Sequence, residues 1–122
     1  MIIVTGPYSS KDENLKKLRI NTISNACLKL MYAGEISVSP LIFGLALIEK
    51  TGQDLPDTYD FWNKFCHEFV NISNKMYVLN MDGWESSNGT KDEIKKAIEI
   101  GIPIYLVDQT SLEIIKTIDA EI

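Results

Sequence analysis

The chain is expected to form an open α/β fold: a parallel sheet of four or five strands with helices on both faces. Three observations carry this expectation. Short runs of β-branched and apolar residues alternate with longer stretches of helical periodicity along the chain, the pattern of βαβ units. The first run, Ile2-Ile3-Val4-Thr5, is continuously β-branched rather than alternating with polar residues, which suits a strand covered on both faces. Glycine and proline punctuate the boundaries. Gly6-Pro7 ends the first run, Gly34 and Gly101 follow helical stretches, and Pro40 opens one, in keeping with proline at helix starts and glycine just past helix ends.

Each element follows from local pattern. After the Ile2–Thr5 strand, Leu15, Leu18, Ile23, Ala26, Leu30 and Met31 recur at helical spacing and predict a long helix that Gly34 stops. Ile36-Ser37-Val38-Ser39 is a short second strand, and an apolar helix runs from Leu41 to about Glu49. Thr51 to Asp57, with Gly52 and Pro56, is a loop. Tyr59 to about Ser73 is helical through Phe61, Phe65, Phe69 and Ile72. Met76 to Asn80 is the third strand, Met81 to Asn88 a polar loop, and Thr90 to Ile100 a helix. Ile104 to Val107 is the fourth strand, and Ser111 to Ile118 is expected as a short terminal helix. Neither a repeat nor a linker interrupts the pattern, so residues 1–122 read as a single domain.

Composition narrows the function classes. A chain of 122 residues has surface enough for one core. A net charge of −5 with Arg19 as the single arginine argues against nucleic acid, whose phosphates need clustered Lys and Arg. Two cysteines make no disulfide framework and one histidine makes no His-rich metal site, so no metal and no cofactor is expected. The longest apolar stretch, Leu41 to Ile48, falls well short of the roughly 18 residues of a membrane helix, and Met1 to Thr5 is too short for a secretory apolar region. Unpaired Cys27 and Cys66 fit a reducing compartment. A cytoplasmic setting is expected, and the sequons at Asn71 and Asn88 are then accidents of composition.

In open parallel sheets, ligands bind beyond the carboxyl ends of the strands. The loops there are Gly6 to Lys11 with Tyr8, Ser39 to Phe43, and Met81 to Thr90, which holds Asp82, Gly83, Trp84, Ser87 and Gly89. No G-x-G-x-x-G follows the first strand, the Gly89-Thr90-Lys91 spacing is not a P-loop, and neither cysteine has a C-x-x-C context. His67 lies on a predicted helix away from these loops, which leaves no Ser-His-Asp arrangement. Thr90 with Glu93 three residues on has the spacing of a capping box. Glu93 thus has a purely structural reading beside any chemical one.

The segment Gly83-Trp84-Glu85-Ser86-Ser87-Asn88-Gly89-Thr90, with Glu93, Ala97 and Gly101-Ile102-Pro103 following it and Gly6-Pro7-Tyr8 after the first strand, resembles the nucleoside 2-deoxyribosyltransferase superfamily. That superfamily includes the 2′-deoxynucleoside 5′-monophosphate N-glycosidases, and the match looks most like a short branch of it. The resemblance implies a flavodoxin-like (Rossmann-like) sheet. It implies a nucleoside or deoxynucleotide N-glycosyl enzyme in which Glu93 attacks C1′, forms a covalent glycosyl-glutamate, and passes the sugar to a second base or to water. A helix N-terminus would hold Glu93 ionised. Ser87 and the amides around Gly89 would take a 5′-phosphate or sugar oxygen, with Gly6 and Ser39 beside them. Tyr8 and Trp84 would wall the base.

The chain also departs from the family pattern. Cys66 and Asn74 stand where the family carries an aspartate and an Asp or Asn, leaving Asp82, Glu68 or Asp60 as the replacement acid. Lys11 and Lys91 lie nearer the strand-end loops than Arg19 does. The partners implied are a nucleoside or deoxynucleoside 5′-monophosphate, possibly a free base, and a second copy of the chain in a homodimer or larger homo-oligomer. The long first helix and Tyr59-Asp60-Phe61-Trp62 are candidates for that contact, with burial inside one chain as the other outcome. A catalytically weak nucleotide-binding or sequestering protein is the alternative that Cys66 favours. A structural domain is the third.

Overall fold

The structure, a computed structural model, describes residues 1–119. The β-branched run forms β1 (Ile2–Thr5) and leads to α1 (Glu13–Tyr32), β2 (Ser37–Val38), α2 (Pro40–Thr51) and α3 (Tyr59–Asn71). Then come β3 (Lys75–Leu79), a 3-10 turn at Trp84–Ser86, α4 (Asn88–Ile100), β4 (Ile104–Val107) and β5 (Ile114–Ile118). The strands make one sheet in the order β2-β1-β3-β4-β5. The first four run parallel, with Ile3 opposite both Val38 and Met76 and Thr5 opposite Val78. This is the flavodoxin-like strand order, with an antiparallel strand on one edge.

Side-chain alternation along the inner strands sends core to both faces. Ile2, Val4, Leu79 and Val107 pack against Ile23, Ala26 and Leu30 of α1. Ile3, Met76, Val78, Ile104 and Leu106 turn the other way, against Val70 of α3 and Ala97 of α4. A strand buried on both sides has no place for a polar alternation, which explains the unbroken apolar run in β1. Helix starts are fixed by side-chain oxygens that accept from otherwise orphaned N–H groups. Asp12 accepts from Asn14 at 2.9 Å, and Ser39 accepts from Ile42 at 3.3 Å with Pro40 next in line.

Two expectations need correction. Residues 111–118 are not a helix. Asp108 Oδ2 accepts from the N–H groups of Thr110 at 2.9 Å and Ser111 at 2.8 Å, and Leu112 has a positive φ of 64°. That turn reverses the chain, and Ile114–Ile118 pair antiparallel with β4, Tyr105 opposite Thr117. The connection is too short for the crossover that a parallel strand needs, and four of the five residues in β5 are β-branched. The helix expected from Thr90 begins instead at Asn88, capped by Ser87.

Between α2 and α3 lies an aromatic cluster. The Trp62 indole stands edge-on to Phe61 at 5.9 Å and to Phe65 at 5.8 Å, and α2 meets it at Gly44. A Cβ there would lie 2.5 and 2.8 Å from ring carbons of Trp62. The indole is penned on its other sides by the phenylalanines, so the clash outweighs the ~1 kcal/mol that alanine gains over glycine within a helix. Gly44→Ala is expected to lower stability by about 1–2 kcal/mol, measured by urea denaturation beside Ala46→Gly, which tests helix propensity alone at an exposed site on the same helix.

Candidate functional site

From β1 the chain crosses to β2 on one side and later arrives at β3 on the other. The loops leaving β1 and β3 therefore part, and a crevice opens at the carboxyl ends of these strands. An open cleft of about 930 Å³ lies there. Its lining includes Thr5 to Ser10 from the end of β1 and the loop beyond it, Ser39 before α2, Trp62, Asn63 and Cys66 of α3, and Ser87 to Thr90 with Glu93 at the start of α4.

Glu93 is the only acidic residue buried in the interior among those described, at 9% exposure. It shares a face of α4 with Thr90 and Ala97, the stripe turned toward the sheet. Its Oε2 accepts a hydrogen bond from the Thr5 hydroxyl at the end of β1, and the Cys66 thiol is a second donor to it. Burial disfavours the charged form and pushes the carboxyl from its ordinary 4.5 up to about 7. The two donors pull the other way, and Asp92 next to it adds repulsion. Cys66 moves with it, pushed up to about 12 by burial, then by the Glu93 charge and the shared hydrogen bond. The thiol is a neutral donor at physiological pH.

The expectation that a helix N-terminus holds Glu93 ionised is corrected. The helix starts at Asn88, which puts Glu93 in its second turn, where the dipole has faded; desolvation wins. The capping-box reading is corrected too. Ser87 Oγ accepts from the Thr90 N–H at 3.3 Å, so Ser87 is the cap. Thr90 is 1% exposed, and its hydroxyl has no partner among the described residues. Glu93 reaches across to β1 instead of back to its own helix start.

The other anticipated residues divide. Gly6, Tyr8, Ser39, Ser87 and Gly89 line the cleft with Glu93. At Gly6 a Cβ would come within 2.9 Å of Met81 Sδ, so the bare backbone lets the two strand-end loops approach. Tyr8 lies beneath the Lys16 ammonium, 5.6 Å from its ring centre. Trp84 is not in the cleft: it is half-buried and packs onto the core cluster that holds Ile3 and Val78. The Asp82, Glu68 and Asp60 side chains are exposed and lie outside the lining, as do those of Lys11 and Lys91. Asn74 receives the N-terminal ammonium, away from the cleft.

Residue patterns alone did not single out Thr5 or Asn63, and the placing of Arg19 farther from the strand-end loops than Lys11 and Lys91 is corrected: Arg19 lines the cleft and neither lysine does. Arg19 donates to the carbonyls of Tyr8 at 3.3 Å, Ser9 at 2.9 Å and Asp82 at 3.2 Å. One side chain thereby ties the loop after β1 to the loop after β3. Its signal was its solitude as the one arginine of the chain. The signal for Thr5 was a hydroxyl ending an otherwise apolar strand. Asn63 carries none, because a helical asparagine is ordinary until its neighbours are known.

The raised pKa of Glu93 gives stability a defined pH dependence. Below 4.5 the carboxyl is protonated in folded and unfolded chains alike, and its burial carries no charge penalty. Between 4.5 and about 7 the unfolded chain ionises first and stability falls; above about 7 the penalty is constant. Its full size is roughly 3 kcal/mol. Glu93→Gln keeps an acceptor for Thr5 and removes the charge. It is expected to stabilise the protein at pH 8 by that order and much less at pH 5, as read by urea denaturation at the two values.

Comparison with known proteins adds a family. No curated protein and no solved structure is matched by the chain. One family model matches, over residues 1–109, a span that takes in β1 to β4 and every cleft residue named above. The chain belongs to that family, described as a domain of unknown function, DUF1937.

Proposed function

We propose that the protein breaks the N-glycosidic bond of a nucleoside or deoxynucleoside 5′-monophosphate, with Glu93 as the nucleophile. One observation carries the reading. A carboxylate buried behind a cleft at the switch point of the sheet is held by a hydroxyl and a thiol, with no counter-ion among the described residues, and titrates near neutrality. Such a group retains its nucleophilicity, because no ammonium or guanidinium among the described residues pairs with it, yet it is substantially ionised at physiological pH.

The step balances as follows. A Glu93 oxygen attacks C1′ as the C1′–N bond breaks. The base departs with the bonding pair and takes a proton from water in the open cleft. A glycosyl ester remains. Water or a second base then attacks C1′, the ester bond breaks, Glu93 is restored, and the incoming group loses a proton to solvent. Thr5 donates to Oε2 and the Cys66 thiol is the second donor, so the two together orient the carboxylate for attack. Ser87 and the N–H groups at the start of α4 face the same cleft and suit a 5′ oxygen or phosphate. The reading carries a cytosolic setting, which two free thiols suit, and pairing of copies of the chain. No helix among the described residues is long and apolar enough to cross a membrane.

A second reading has its own observation. Cys66 occupies the position beside Glu93 where the resembling superfamily has a carboxylate, and a thiol pushed to about 12 is a poor proton donor. A protein that binds nucleotides without turnover would follow. Incubation with deoxynucleosides and their 5′-monophosphates is expected to release free base, and Glu93→Gln to reduce release by about a thousandfold or more. kcat/KM should rise with pH through about 7, because the nucleophile must be ionised. Thermal stabilisation by these compounds without release would favour the second reading; the absence of both would remove the two together.

A further inference from the structure

We infer that the nucleobase is bound along α3, stacked against Trp62 and read by the side-chain amide of Asn63. The inference rests on the glycosyl reading above and identifies where that site recognises its leaving group. Tyr59, Trp62, Asn63 and Cys66 all line the cleft, at the spacing that puts residues on one helix face. Cys66 contacts Glu93, so the reacting carbon lies beside Cys66. Asn63 and Trp62 stand one turn earlier, about 4.5–6 Å along the helix axis, the reach of a base from the carbon that carries it.

The two ends of the cleft differ in chemistry. Around the start of α4 the lining is Ser87, Asn88 and Gly89, hydroxyl and amide groups suited to sugar and phosphate oxygens. On the α3 side the Trp62 indole stands with Leu41, Leu45 and Leu55, apolar surface suited to a heterocycle, and Asp54 and Asp57 of the preceding loop add polar groups to the lining. The indole is held in place by Gly44 behind it and by Phe61 and Phe65 edge-on beside it, so little ordering is left to occur on binding. Asn63 is half-buried, and its amide has no hydrogen-bond partner among the described residues. A primary amide offers a donor beside an acceptor, which complements the edge of a nucleobase and pairs two-fold with adenine.

The chain has two tryptophans, so each can report alone. In a Glu93→Gln background that prevents turnover, 2′-deoxyadenosine is expected to quench Trp62 in the Trp84→Phe protein and to leave Trp84 unchanged in the Trp62→Phe protein. 2-Deoxyribose 5-phosphate, which has no base, should leave Trp62 emission unaltered. Asn63→Ala should weaken 2′-deoxyadenosine binding about tenfold or more by calorimetry, with an unchanged melting temperature; this arm needs no tryptophan substitution. Quenching confined to Trp84, or undiminished affinity in Asn63→Ala, would overturn the α3 subsite while leaving the glycosyl reading in place. Absence of calorimetric binding by any nucleoside, deoxynucleoside or 5′-monophosphate of these to the unsubstituted chain would overturn both.

Discussion

Everything in this molecule depends on β1 lying between β2 and β3. Parallel pairing on both edges buries the strand from all sides, which demands the unbroken run Ile2-Ile3-Val4 and sends core to both faces of the sheet. The same placement makes the chain cross in opposite senses after β1 and before β3. The loops at those strand ends must then diverge, and the cleft is the space they leave. Core and site are two consequences of one pairing.

Within that cleft the electrostatics of Glu93 are a contest among three effects of different reach. Desolvation acts on the whole carboxylate and is the largest. Hydrogen bonds from Thr5 and Cys66 recover part of it, because donors placed on the charged form favour ionisation. The helix dipole contributes little, since the helix opens at Asn88 and its field fades within the first turn. A carboxylate so placed is costly to keep, and proteins keep such costs where chemistry or binding repays them.

The cleft that holds Glu93 is braced by contacts between its elements. Arg19 joins the loops of both neighbouring strands through backbone carbonyls, which replaces loop mobility with a fixed span. Elsewhere in the lining, the aromatic cluster of α2 and α3 locks Trp62 against Gly44. A hydrogen-bonded strap between the two loops and close-packed rings around Trp62 fix these parts of the lining, and groups held so pay little entropy when a ligand arrives.

Much of this was written in local sequence. The βα alternation, the doubly covered first strand, the proline that opens α2 and the glycines that end helices all depend on neighbours a few residues apart, so composition and spacing determine them, whereas the start of α4 at Ser87 rather than Thr90 was not read from the local pattern. Ser87, Gly89, Tyr8 and Gly6 were legible because they fall in loops or a first turn beyond strand ends, where an open sheet binds its ligands, and Glu93, in the second turn of its helix, was singled out by the resemblance. Tertiary structure decided the rest. Whether Ser111 to Ile118 coils or pairs turns on the free edge of β4, an edge no local pattern reveals. Which way Glu93 faces turns on a hydroxyl 88 residues away. Trp84 looked polar in its loop and packs on the core, while Trp62 looked like part of a surface or core stripe and lines the cleft. Sequence sets what each residue is able to do over short distances; only the pairing of strands brings Thr5, Cys66 and Glu93 within hydrogen-bonding distance, because those contacts are made between elements that the chain visits far apart.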